Sequence, residues 1–173
     1  MSPAASSSDS RLSIQPVNDA AEWEAFEELL RHYASNDLGQ AASSSIWTDL
    51  KDLPARYSNS AGGGAALALV EGTPVGCGAF AATSEQSLCE LKRFYVLPAW
   101  RRLGYGRSLV LAMQRSASAY GYLQAGLSVW PDNSSSLALY RALGFAPIPA
   151  FKSHPDPTLL FLGRALSNSS IFE

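Results

Sequence analysis

The chain has 173 residues, 47% of them hydrophobic and 16% charged, with a net charge of −2. That length suits one domain with a real core, and the near-neutral balance argues against nucleic acid or an anionic membrane surface as the main partner. No run approaches the roughly 20 apolar residues of a membrane helix. Two cysteines, Cys77 and Cys89, are too few for a disulfide scaffold and lack zinc-ligand spacing. Both lie in apolar runs, so buried free thiols and a cytoplasmic location are expected, with no metal.

Residues 1–10 are rich in Ser and Ala and lack the basic and apolar regions of a signal peptide. They read as a disordered tail, residues 11–166 as a single domain and 167–173 as a C-terminal tail. Leu12, Ile14 and Val17 point to a short strand. Asp19 followed by Glu22 is a capping box, and Trp23, Phe26, Leu30 and Tyr33 then mark one helical face. Ile46, Leu50, Leu53 and Tyr57 form a second stripe, which Pro54 should bend or end early. Strands are expected over 65–70, 75–82 and 88–96, the first two joined by a turn at Glu71-Gly72-Thr73-Pro74. A helix over 107–120 stops at Gly121, a strand follows over 123–130, and Asn133 or Ser134 caps a short helix ending at Leu143. Two closing strands are expected over 145–151 and 158–165. The order β-α-α-β-β-β-α-β-α-β-β implies a mixed sheet flanked by helices, with a parallel pair across the 107–120 helix.

The most informative stretch joins that helix to the strand before it. Arg101-Arg102-Leu103-Gly104-Tyr105-Gly106 is a glycine turn between a strand and a helix N-terminus, where outward N–H groups and the helix dipole favour an anion. Gly104 and Gly106 let a ligand approach the main chain, and Arg102 and Arg107 stand ready to neutralise a pyrophosphate from the rim. The turn lacks both the dinucleotide fingerprint and the P-loop Lys-Ser/Thr. A plain tight turn into a helix uses the same residues, and that reading stands beside the anion site.

Residues 90–107, ELKRFYVLPAWRRLGYGR, resemble the acetyl-CoA-binding motif of the GNAT N-acetyltransferases: a strand with an apolar-aromatic-Val ending, a Pro, then Arg-x-x-Gly-x-Gly. Downstream, Asn133 and then Leu139-Tyr140 through Gly144-Phe145 resemble the family's second segment. The region from Cys89 to Arg93 and the tail are similar to small stand-alone bacterial members, except that Phe151 and His154 stand where a tyrosine and an asparagine are expected. The resemblance implies an α/β (α+β by some schemes) acyl-CoA N-acyltransferase fold, a mixed central sheet of about seven strands flanked by about four helices.

It also implies an activity: transfer of acetyl from acetyl-CoA, as co-substrate, to a primary amine by direct attack. Arg101, Arg102, Leu103, Gly104, Tyr105, Gly106 and Arg107 would hold the pyrophosphate, mainly through backbone N–H groups. The Val96 N–H would face the thioester carbonyl, with the Phe94 backbone near the pantetheine arm and Asn133 either touching the cofactor or capping its helix. Glu90 would be the base, through a water; the alternative is a carboxylate paired with Lys92 or Arg93. Tyr140 would protonate or stabilise the leaving thiolate; the alternative is an aromatic packing residue. His32 and His154 have no spacing for a metal or a triad. Strand alternation points Arg93 away from Glu90, so that it meets a substrate carboxylate only if a bulge intervenes.

Acceptor walls are expected at Trp47, Tyr57, Phe151 and His154, which favours a small amine, such as an amino acid or other metabolite, over a polybasic peptide. The alternatives are a protein lysine or N-terminal acetyltransferase, which would use Asp37, Asp49 and Asp52, and a non-catalytic acyl-CoA sensor. A homodimer stays open.

Overall fold

Local chemistry sets the elements one by one in the computed structural model, which describes residues 11–37 and 45–167. The expected tail at 1–10 and all but the first residue of the expected tail at 167–173 lie outside them. After β1 (Leu12–Pro16), Asp19 Oδ1 accepts the Glu22 N–H at 2.8 Å while Glu22 Oε1 accepts the Asp19 N–H at 3.0 Å. This reciprocal cap starts α1 (Ala20–Asn36), which buries Phe26 and Leu30 fully.

The second stripe is two helices, α2 (Ile46–Asp49) and α3 (Leu53–Tyr57). Asp52 caps α3 by accepting the Ala55 N–H at 3.1 Å, and Pro54 lies in its first turn. Proline is tolerated there because its missing N–H would have no helical partner. Pro54 therefore begins a helix instead of bending one, and the α-helices among the described residues number five where about four were expected. The stripe survives the break, since Ile46, Leu50, Leu53 and Tyr57 are all buried.

β2 (Gly64–Val70), β3 (Thr73–Ala82) and β4 (Leu88–Val96) form a meander. Its first turn has positive φ at both Glu71 and Gly72, the twist that suits a two-residue hairpin. α4 (Tyr105–Tyr120) ends at Gly121, with φ of 122°, and leads to β5 (Gln124–Val129). α5 (Ser134–Ala142) is capped by Asn133, and β6 (Ala146–Pro147) and β7 (Leu160–Ala165) close the sheet. The closing strands are shorter than expected. Pro147, Pro149, Pro155 and Pro157 lack ladder donors, so most of 148–159 is loop.

The seven strands run in the order β1-β2-β3-β4-β5-β7-β6. Among the described residues only β4 and β5 are parallel, as the α4 crossover requires. One face of the sheet packs on α1, α2 and α3 through Phe26, Leu30, Ile46 and Tyr57. The other packs on α4, where Val110 and Met113 meet Phe80 and Leu91. Cys77 and Cys89 are buried free thiols, and burial pushes both pKa values up, Cys89 to about 12. Neither is a nucleophile in this setting.

Candidate active site

The central feature is a gap in the sheet. β4 pairs with β5 only at Leu88, Cys89 and Glu90. Beyond Glu90 the two strands part, and the β5-facing backbone of β4 has no ladder partner. Val96 borders this gap. The Leu97 N–H donates to the Val75 carbonyl of β3 at 2.9 Å, so by alternation the N–H and C=O of Val96 point away from β3, as do those of Phe94. Arg101 Nε donates to the Val96 carbonyl at 2.9 Å. The Val96 N–H is left aimed into the gap.

A bulge lies between those residues and Glu90. The β3–β4 register shifts between Cys77 and Ala79, and Arg93 has φ of 64°. An extra residue in one strand turns the side chains that follow. Lys92 and Arg93 consequently lie on the same face as Glu90, which corrects the expectation that Arg93 points to the opposite one. Arg93 is also fully engaged. Its Nη2 lies 2.8 Å from Asp49 Oδ2, its Nε donates to the same oxygen at 2.9 Å, and Nη2 donates to Ser45 Oγ at 2.7 Å. The buried Tyr57 hydroxyl donates to Asp49 as well. This cluster straps α2 and α3 to the bulge.

At the mouth of the gap is the glycine turn. Arg102 and Gly104 take positive φ, 64° and 83°. The N-cap of α4 is Gly104, which has no side chain to make a capping hydrogen bond, and no acidic residue lies in the helix's first turn. A Cβ built on Gly104 or Gly106 meets nothing within 4 Å among the described residues, which leave the space outside the turn open to a ligand. Arg102 and Arg107 are exposed beside it, and Leu103 is exposed too. Arg101 is turned elsewhere: its guanidinium reaches Asp37 at 2.8 Å and lies over the Tyr95 ring. Tyr105 is buried and stacks on Trp100. An uncapped helix N-terminus with open space and nearby cations fits a pyrophosphate.

On the far side of the gap, α5 presents Tyr140. Its ring packs edge-on against Phe145, and its hydroxyl has no hydrogen-bond partner among the described residues. Burial pushes the phenol up to about 12, with a smaller contribution from Tyr33. Asn133 accepts the Ser136 N–H at 3.3 Å, which is the capping geometry. Its amide nitrogen remains available.

Glu90 sits where the strands part. Its side chain is only 3% exposed and is paired with two cations, Lys152 Nζ at 2.5 Å and Lys92 Nζ at 3.8 Å. Burial and, after it, the nearby Arg93 lower the Lys92 ammonium to about 8, against the opposing pull of Glu90. A cleft of about 720 Å³ opens over Glu90, with Arg56, Phe151 and Lys152 in its walls. Phe151 lies so close to Gly126 that a Cβ there would meet its ring at 2.7 Å. The expected aromatic wall is thus only partly met. Tyr57 is fully buried on Asp49, and His154 packs against Trp130. His32 touches the Tyr95 hydroxyl at 2.7 Å. Sequence reasoning missed Lys152 and Arg56, which carry no motif and come together only through long-range contacts. Among the described residues, no group of His, Cys, Asp or Glu side chains is placed to hold a metal, and no helix is long and apolar enough to cross a membrane.

The chain is similar to known proteins in sequence and in fold. Over 96 residues it is 38% identical to a protein of Azospirillum brasilense called IAA acetyltransferase, covering 55% of this chain and 63% of that one. The chain spans about half to two thirds of the length of the curated relatives it matches. Among solved structures, an acetyltransferase from Streptococcus agalactiae superposes with a TM-score of 0.73 at 18% identity, covering 91% of this chain and 99% of that one. The putative acetyltransferase yncA from Salmonella typhimurium, solved with acetyl-CoA, gives 0.68 at 20% identity over 95% and 99%. The model of the acetyltransferase (GNAT) family matches residues 23–145, most of the described domain and all of the gap, the bulge and the glycine turn. The chain belongs to the GNAT acetyltransferase family.

Proposed function

We propose that the protein is an N-acetyltransferase that moves an acetyl group from acetyl-CoA to the primary amine of a small molecule by direct attack. The single observation that carries this reading is the parting of β4 and β5 beside an uncapped, unobstructed α4 N-terminus. In the reaction, the amine nitrogen bonds to the thioester carbon, the carbon–sulfur bond breaks, and coenzyme A leaves as a thiolate. The N–H groups of the turn from Leu103 to Arg107, with Arg102 and Arg107 at its rim, hold the pyrophosphate. The Val96 N–H donates to the carbonyl oxygen as negative charge develops there, the role in which a fixed donor contributes most. The Phe94 backbone steadies the pantetheine arm.

Glu90 takes the amine proton, through a water. Lys152 and Lys92 hold its carboxylate in place beside the gap. Tyr140 faces the leaving sulfur. A phenol near 12 lies well above a thiol's usual value of about 8.5. Full transfer to the thiolate is therefore uphill, and Tyr140 acts chiefly as a hydrogen-bond donor to it. Asn133 caps α5 and so fixes the helix that carries Tyr140.

A small acceptor is favoured over a basic peptide because the acidic residues such a peptide would use are occupied. Asp37 is bound by Arg101, Asp49 by Arg93 and Tyr57, and Asp52 caps α3. Thiol release from acetyl-CoA against a panel of amines, amino acids and lysine peptides tests the reading, with product identified by mass. Acetylation of a small amine is the expected result. Acetylation of peptides alone would move the activity to protein substrates, and binding of acetyl-CoA without any product would favour a sensor.

A further inference from the structure

The cleft over Glu90 has a charge balance that a bare amine does not match. Its charged walls are Arg56, Lys152 and Glu90, two cations against one anion. Lys92, 3.8 Å from Glu90, adds a further cation beside the floor. Their commitments differ. Lys152 donates to Glu90 and its side chain is 35% exposed. Arg56, on the exposed side of α3, has no ion-pair or hydrogen-bond partner among the described residues. α3 itself is held rigidly from beneath, because Tyr57 and Asp49 are locked onto Arg93. A planar guanidinium on a fixed helix, facing a cleft with an excess of positive charge, is suited to bidentate capture of a carboxylate.

We propose that the acceptor carries a carboxylate on the same small molecule as its amine, and that Arg56 is the residue that binds it. The amine then lies towards Glu90 and the gap, the carboxylate lies at Arg56 with the partly exposed Lys152 side chain beside it, and the Phe151 ring takes the apolar part. Naming the amine as the reacting group rests on the acetyl-transfer reading. The anion site does not.

Matched pairs separate the two. Phenylalanine and phenethylamine, tryptophan and tryptamine, and alanine and ethylamine each differ by one carboxylate. Each is titrated by calorimetry into the full-length protein saturated with coenzyme A, for wild type, Arg56→Gln and Arg56→Lys. Arg56 is exposed, so these variants should keep the wild-type unfolding midpoint. The expected result is a preference of about tenfold or more for the carboxylated member of at least one pair. Arg56→Gln should abolish that preference and Arg56→Lys should restore part of it. Equal binding within every pair, binding of no pair, or a preference untouched in Arg56→Gln would overturn the inference. Mass analysis of the same ligands with acetyl-CoA reads the other proposal. Carboxylate-dependent binding without acetylated product would sink acetyl transfer to these amines and keep the anion site. Product from the decarboxylated amines alone would do the reverse.

Discussion

The two sides of β4 are built by different means. On the side of the glycine turn, the site is almost entirely main chain: open N–H groups at α4, the Val96 N–H, and glycines with empty space outside them. On the side of Glu90, it is almost entirely side chain, and nearly every charge there is already paired. A backbone site recognises what is common to every reaction of one cosubstrate. A side-chain site can change its occupant through a few substitutions. On the proposed reading, chemistry common to the family lies on the first side and selectivity on the second.

The sharpest way to break that division is at Tyr140, the side chain proposed to meet the leaving sulfur in the cosubstrate half. Tyr140→Phe should lower kcat by about a hundredfold or more, the usual cost of losing a donor to developing charge. Acetyl-CoA affinity should stay within a factor of about two, because the hydroxyl acts only as the thiolate forms. A wild-type rate would remove Tyr140 from the mechanism.

Glu90→Gln should come next, reducing turnover by up to about a hundredfold. The deficit should be largest at low pH, where the amine is most fully protonated and most needs a base. A pH–rate profile parallel to that of the wild type would leave Glu90 as a structural carboxylate.

Arg93→Ala tests whether the acceptor half is also a strut. Removing this cation leaves the buried Asp49 with the Tyr57 hydroxyl but no counter-charge, at a cost of about 3–5 kcal/mol of stability. Urea unfolding measures it. A loss under about 1 kcal/mol would mean that the strap over the bulge carries little of the fold.

The smallest effect concerns Lys92. Its ammonium, lowered to about 8 by burial, Arg93 and Lys152 against the opposing pull of Glu90 and Asp49, loses its charge as pH rises through that value. A carboxylate-bearing ligand should then bind a few-fold more weakly above pH 8 than below it, and Lys92→Met should flatten that slope. An identical slope in the variant would assign the titration to another group.

The same division explains what could be read from the sequence. The α1 capping box, the β4 boundaries, the α4 stop at Gly121 and the glycine turn depend on residues a few positions apart. Spacing along the chain reports such features well. The pairing of Glu90 with Lys152 spans 62 positions and that of Arg93 with Asp49 spans 44. No local pattern announces either one. Arg93 failed for a further reason: one bulged residue reverses the face of a side chain, and strand alternation assumes no bulge. Pro54 marks a similar limit, since a proline inside a helical stripe reads equally as a break and as a first turn.

On the proposed reading the open backbone of the α4 turn receives the cosubstrate. Gly106→Val is the decisive variant, because a Cβ at this position meets nothing within 4 Å among the described residues and so should not disturb the fold. The side chain would instead fill the space through which the pyrophosphate approaches the main chain. Calorimetric titration of acetyl-CoA should give affinity weakened by about tenfold or more, with the unfolding midpoint kept to within a few degrees of wild type. Unchanged affinity in a folded variant would contradict the claim.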